Sequence, residues 1–141
     1  MYKSKHFAPH EVVPKHIFES RGVKSYQCLD ERLLKLADLL RDLFDCPLTI
    51  NNYNWGGNRE WSGLRTSDSP YYSPTSQHTF GRALDIIVKD YTADEARDMV
   101  KQWFAEGKFS HLVDSITLEE GVGWLHIDIR NNNKGVNSFH P

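Results

Sequence analysis

The chain has 141 residues, a formal net charge of −2 and a pI near 6.4. That length suits one domain with a single core, and the charge leaves no basic footprint for a nucleic-acid backbone. No apolar run approaches the roughly 20 residues that span a bilayer, so no membrane partner is expected.

The opening Met1-Tyr2-Lys3-Ser4-Lys5-His6-Phe7 is basic but lacks the apolar stretch of a secretory signal. Cytoplasmic synthesis without Sec export is the default reading. Residues 1–28 form an ordered lead-in, because Phe7, Val12, Val13, Ile17 and Phe18 give it apolar surface to dock on the rest of the domain. Asp30 caps a helix carrying Leu33, Leu34, Leu36, Ala37, Leu40, Leu43 and Phe44, and Pro47 stops it. Cys28 and Cys46 bracket that helix. About 16 residues rising 1.5 Å each hold its ends roughly 24 Å apart, against the ~7 Å a disulfide allows. Two free thiols follow.

Leu48-Thr49-Ile50 is a short strand. From Asn51 to Thr75 the composition turns to Asn, Gly, Ser, Pro and Tyr, which is loop chemistry. With Trp55, Trp61, Tyr71 and Tyr72 inside it, this loop is expected to form the ordered wall of a cleft. Ala83 to Val88 is a buried strand. Thr92 and Glu95 make a capping box for a helix whose Ala96, Met99, Val100, Trp103 and Phe104 share one face, with Gly107 closing it. Ser115–Leu118 and Trp124–Ile129 are two strands, a hairpin around Glu119-Glu120-Gly121. Asn131–Gly135 is turn-like. There are no repeats and no second domain, so residues 1–141 are one unit. The class is α+β, a mainly antiparallel sheet with helices packed on one side.

Strand parity decides which side chains share a face. Trp124, His126 and Asp128 point one way, and Leu125, Ile127 and Ile129 the other, which is the core side. Asp85 lies opposite Leu84 and Ile86, so it also avoids the core. His78, from the preceding turn, joins Asp85 and His126 as two imidazoles and one carboxylate. Such a set suits a catalytic zinc with its fourth position left to water. Gly81 is expected to let the turn pass close to the metal. His6, His10, His16, His111 and His140 have no ligand-like company.

The segment Ser76-x-His78-x-x-Gly81-x-Ala83-x-Asp85 resembles the signature of the M15 zinc peptidases, at all five fixed positions. These are D-alanyl-D-alanine carboxypeptidases and dipeptidases, and phage-type L-alanyl-D-glutamate endolysins. The metal core also resembles that of the hedgehog signalling domain. The likeness runs from about Leu48 to Arg130. It implies a hedgehog/DD-peptidase-like fold and one Zn²⁺ held by His78, Asp85 and His126. Ser62-Gly63-Leu64-Arg65 is similar to the family's Ser-Gly-aromatic-Arg segment, which makes Arg65 the anchor for an anionic substrate group; Arg82 and Arg130 rank below it. The pattern departs at the general base, where Gly123 and Trp124 stand in positions that carry a glutamate or a histidine in other members. The hedgehog-like arrangement points to Glu120, then Glu119, with Asp128 third. Ser76 and Gln77 are expected to orient ligands.

The resemblance implies a zinc metallopeptidase hydrolysing the stem or cross-link peptides of bacterial peptidoglycan, phage or prophage derived, acting on the wall after release or as a virion component. The alternative is a catalytically silent zinc-binding structural or binding module of the same fold. A monomer is expected, since nothing suggests a coiled coil or a large apolar patch.

Overall fold

The computed structural model describes residues 1–141. Three α-helices, α1 (Lys15–Arg21), α2 (Glu31–Phe44) and α3 (Ala93–Ala105), accompany five strands. The strands are β1 (Leu48–Thr49), β2 (Ala83–Val88), β3 (Ile116–Glu119), β4 (Leu125–Asp128) and β5 (Val136–Phe139). They form one sheet in the order β1-β2-β4-β3-β5. The pairings β1–β2, β2–β4 and β4–β3 are antiparallel, but β5 pairs with β3 in parallel, so the sheet is mixed rather than purely antiparallel. No helix is long and apolar enough to cross a membrane.

Local chemistry accounts for the helix ends. The Asp30 carboxylate accepts the Arg32 N–H at 2.9 Å and caps α2. The helix ends at Asp45, which adopts a left-handed φ of 53° two residues before Pro47. Thr92 and Glu95 form the expected reciprocal cap on α3. Leu84, Ile86 and Val88 of β2, Leu125 and Ile127 of β4, and Ile116 and Leu118 of β3 share one buried core with Leu33, Leu36, Leu40 and Val100 of the helices. Burial of this face is what fixes strand register, because a slip of one residue would turn every apolar side chain outward.

The lead-in is part of the structure. Phe7, Val12 and Val13 are buried in the core. Asp38 of α2 accepts from Tyr2 Oη, Ser4 Oγ, Lys5 N and His6 N, tying down the first six residues with one carboxylate. Farther along, Val12 O accepts the Leu64 N–H at 2.9 Å, so the lead-in also holds the loop that precedes the site. Cys28 and Cys46 are free, as the helix between them requires.

Gly81 has a φ of +68°, and a Cβ there would collide with the Cys28 carbonyl oxygen. Its freedom therefore lets the His78–Gly81 turn pass close to the backbone of Cys28 and Leu29, rather than close to a metal as the spacing suggested. The Gly81 carbonyl accepts from Asp30 N at 2.9 Å, which joins this turn to the start of α2.

Candidate metal centre

The polar face of the sheet carries the site because of register. Asp85 on β2 is paired with His126 on β4, and Ala83 with Asp128. On the other side of β4, Thr117 is paired with Asp128 and Leu118 with Ile127. Continuing that register by one residue brings Glu119 opposite His126, and Glu119 is itself paired with Phe139 of β5. Asp85, His126, Glu119 and Phe139 therefore occupy one rung across four strands.

His78 reaches this rung from the loop. Its Nδ1 lies 2.9 Å from the Gly63 carbonyl oxygen, and its own carbonyl accepts the Arg65 N–H at 3.1 Å. Asp85 N donates to Ser62 O at 2.7 Å, so the Ser62–Arg65 segment is laced to both the turn and the strand. A Cβ at position 63 would collide with the Val12 carbonyl oxygen, which is the steric reason for glycine in that segment. Ser76 Oγ accepts the His78 N–H at 3.2 Å and fixes the turn that presents the imidazole.

The three side chains meet. His78 Nε2 is 3.3 Å from Asp85 Oδ1, and His126 Nδ1 is 2.9 Å from the same oxygen. All three are buried, with ligand atoms within 4.8 Å of one another, and the group could hold a metal ion. A divalent ion bound tetrahedrally at about 2.0–2.1 Å wants donors roughly 3.3 Å apart, close to the 3.3 and 2.9 Å between each imidazole and Asp85 Oδ1. The donor set also fits, since two imidazoles and a carboxylate are nitrogen and oxygen ligands of a type common in such centres.

The surrounding charges are arranged around His126. Its Nε2 lies 2.9 Å from Asp128 Oδ2, so the imidazole stands between two carboxylates. Burial pulls the His126 pKa down, but the hydrogen bonds to Asp128 and Asp85 outweigh it and raise it to about 9. Burial alone would raise Asp85, yet the hydrogen bonds with His126 and His78 hold its carboxyl below the ordinary carboxylate range. Asp128 is likewise lowered, burial being offset by His126 and Arg130. A cation taking Nδ1 would displace a proton, while Asp128 would keep the Nε2–H and the ring orientation. Asp128 is thus a brace behind the ligand, completely buried, and not on the ion side.

Two guanidiniums flank this group. Arg65 Nη2 donates to Asp85 Oδ2 at 3.0 Å and its Nε to the Trp61 carbonyl at 2.8 Å. Arg130 grips Asp128 through Nε at 2.8 Å and Nη2 at 2.6 Å. Both arginines line a cavity of about 370 Å³ together with His78, Asp85, Glu119 and His126. A neighbouring cavity of about 320 Å³ shares Arg65, Tyr71, Asp85 and Trp124 with it. Trp61 and Tyr71 wall these cavities as expected of the long loop, whereas Trp55 turns away and packs edge-on against His10.

Glu120 corrects the expectation for the base. It does not line the cavity. Its carboxylate meets Lys101 Nζ at 2.9 Å and Arg97 Nε at 3.1 Å, both on α3. Residues 120–124 connect β3 to β4 outside the strands, so the antiparallel pairing, and not the count of residues back from His126, sets which side chain faces it. Glu119 has the place on the rung. Gln77 lines the cavity, and its Oε1 is buried without a hydrogen-bond partner. Arg82 is half-exposed and sits 3.7 Å from Asp30, outside the cavity. Phe139 was missed from sequence. Arg130, ranked below Arg65 as an anchor, does line the cavity, and the spacing Asp128-x-Arg130 was the signal for its ion pair.

No protein-family model, no curated protein and no solved structure matches the chain.

Proposed function

We propose that the chain is a zinc-dependent peptidase acting on the stem or cross-link peptides of bacterial cell wall. The observation that carries the reading is one buried His78–Asp85–His126 group opening on a cavity that also holds a free carboxylate, Glu119, and the guanidinium of Arg65. Zinc suits two imidazoles and one carboxylate and, when bound, would supply Lewis-acid polarisation of a carbonyl and an acidified water.

The protein's own groups divide the remaining work. Glu119 is the candidate general base. Its carboxylate would take a proton from the attacking water as the oxygen adds to the amide carbon, and hand it to the nitrogen as the C–N bond breaks. Arg65 keeps Nη1 free of protein partners, and a planar guanidinium suits a substrate carboxylate better than an ammonium would. Tyr71 and Trp124, both exposed in part, form apolar walls that limit water around the reacting bond. Ser76 and Asp128 hold His78 and His126 in orientation.

The test is release of new amino groups from purified peptidoglycan by zinc-loaded protein, with the metal-stripped protein as control. Release that depends on both zinc and Glu119 supports the peptidase. A protein that binds zinc stoichiometrically and releases nothing is instead a silent zinc-binding module of the same fold.

A further inference from the structure

Arg65 and Arg130 stand in matching positions on either side of His126. One is bonded to Asp85 on the Nδ1 side of the imidazole, the other to Asp128 on the Nε2 side. Each guanidinium also lies against an aromatic ring, Arg65 at 5.6 Å from the Tyr71 centroid and Arg130 at 5.4 Å from the Phe139 centroid. Stacking of this kind fixes the plane of the fork and so the direction of its remaining donors. In each, Nε and Nη2 are used within the protein and Nη1 is not. Both line the same cavity.

From this pairing we infer that Arg130 is a second anion anchor, and that the cavity takes a ligand with two separate carboxylates, one for each guanidinium. The inference rests on the peptidase reading only for the ligand's identity, a peptide segment carrying two free acids. Charge supports it. With a divalent cation held by the neutral imidazoles, Arg65 and Arg130 against Asp85, Asp128 and Glu119 leave the site at a net +1. An anionic ligand is therefore favoured with the cation in place. A monoanion would leave one guanidinium facing an uncharged group. A dianion uses both charge-assisted contacts, which are about twice as strong as neutral ones.

The experiment is calorimetric binding of glutarate and of its monoamide to the protein at saturating zinc, so that small changes in metal affinity do not enter. The two probes share a shape and differ by one charge. Glutarate should bind about tenfold more tightly than the monoamide, the worth of one charge-assisted contact. R130Q should reduce that ratio to near one, and R130K, which keeps the charge, should retain part of it. Equal affinity of the two probes for the parent protein would overturn the inference. So would a preference that survives in R130Q, since the second carboxylate would then be bound by the ion or elsewhere. A protein that prefers glutarate yet releases nothing from cell wall keeps this anchor and loses the peptidase; one that digests wall with no such preference does the reverse.

Discussion

The Asp85 carboxylate lies 2.9 Å from the His126 imidazole across a register pair of neighbouring antiparallel strands. Two residues 41 positions apart thus become neighbours through backbone hydrogen bonding. A cation binding there replaces a proton between groups that the strand register holds side by side, which keeps the ordering cost of binding small.

Substituting a ligand should therefore remove the ion without unfolding the chain. H78A is expected to abolish stoichiometric zinc retention in equilibrium dialysis while leaving the far-ultraviolet circular dichroism intact. D85N should do the same and also lower stability, because Arg65, largely buried, loses its partner. Retention of one zinc per chain by either variant would refute the ligand assignment.

The two adjacent glutamates separate cleanly. E119Q should lower amino-group release from cell wall by about 10²–10⁴-fold, the usual worth of a general base. E120Q should leave the rate within a few-fold of the parent and act on stability instead, since its partners are Arg97 and Lys101. The reverse pattern would return the base to Glu120.

Arg97 is almost fully buried on α3, and its Nη1 donates to the carbonyls of Glu119, Val122 and Trp124. One side chain thus fixes both ends of the turn that presents Glu119 and Trp124 to the cavity. R97M leaves those carbonyls without their partner and Glu120 with Lys101 alone, and should cost about 3–5 kcal/mol in urea denaturation. A loss below about 1 kcal/mol would mean that water replaces the guanidinium there.

His10 provides a pH test away from the metal group. Its ring packs edge-on to Phe18 and Trp55, its Nδ1 is buried without a partner, and burial lowers its pKa below 6.5. The unfolded chain takes up the proton more readily, so the native state loses stability as pH falls below about 6.5 toward the lowered value. Between pH 8 and pH 5, urea denaturation should show the parent losing more stability than H10F. Equal losses would show that the imidazole is not held neutral.

Much of this was legible in the chain. The α2 and α3 caps are local motifs, and the alternation in β2 and β4 put Asp85 and His126 on the non-core face. Three things were not. Val136-Asn137-Ser138-Phe139 has too weak an alternation to declare itself, and β5 exists because β3 offers it a parallel edge. Helix α1, only seven residues long, has no side-chain cap to announce it. The choice between Glu119 and Glu120 depends on how five turn residues are spent, which only the pairing of β3 with β4 decides.

The rung that joins four strands also acts as a built-in check on folding. Were β4 displaced by a single residue, Leu125 or Ile127 would stand where His126 stands, and the donor set would vanish along with the apolar seal beneath it. Misassembled molecules would accordingly lack the group that could hold a metal ion, and under the proposed function zinc uptake would count the correctly threaded fraction of any preparation.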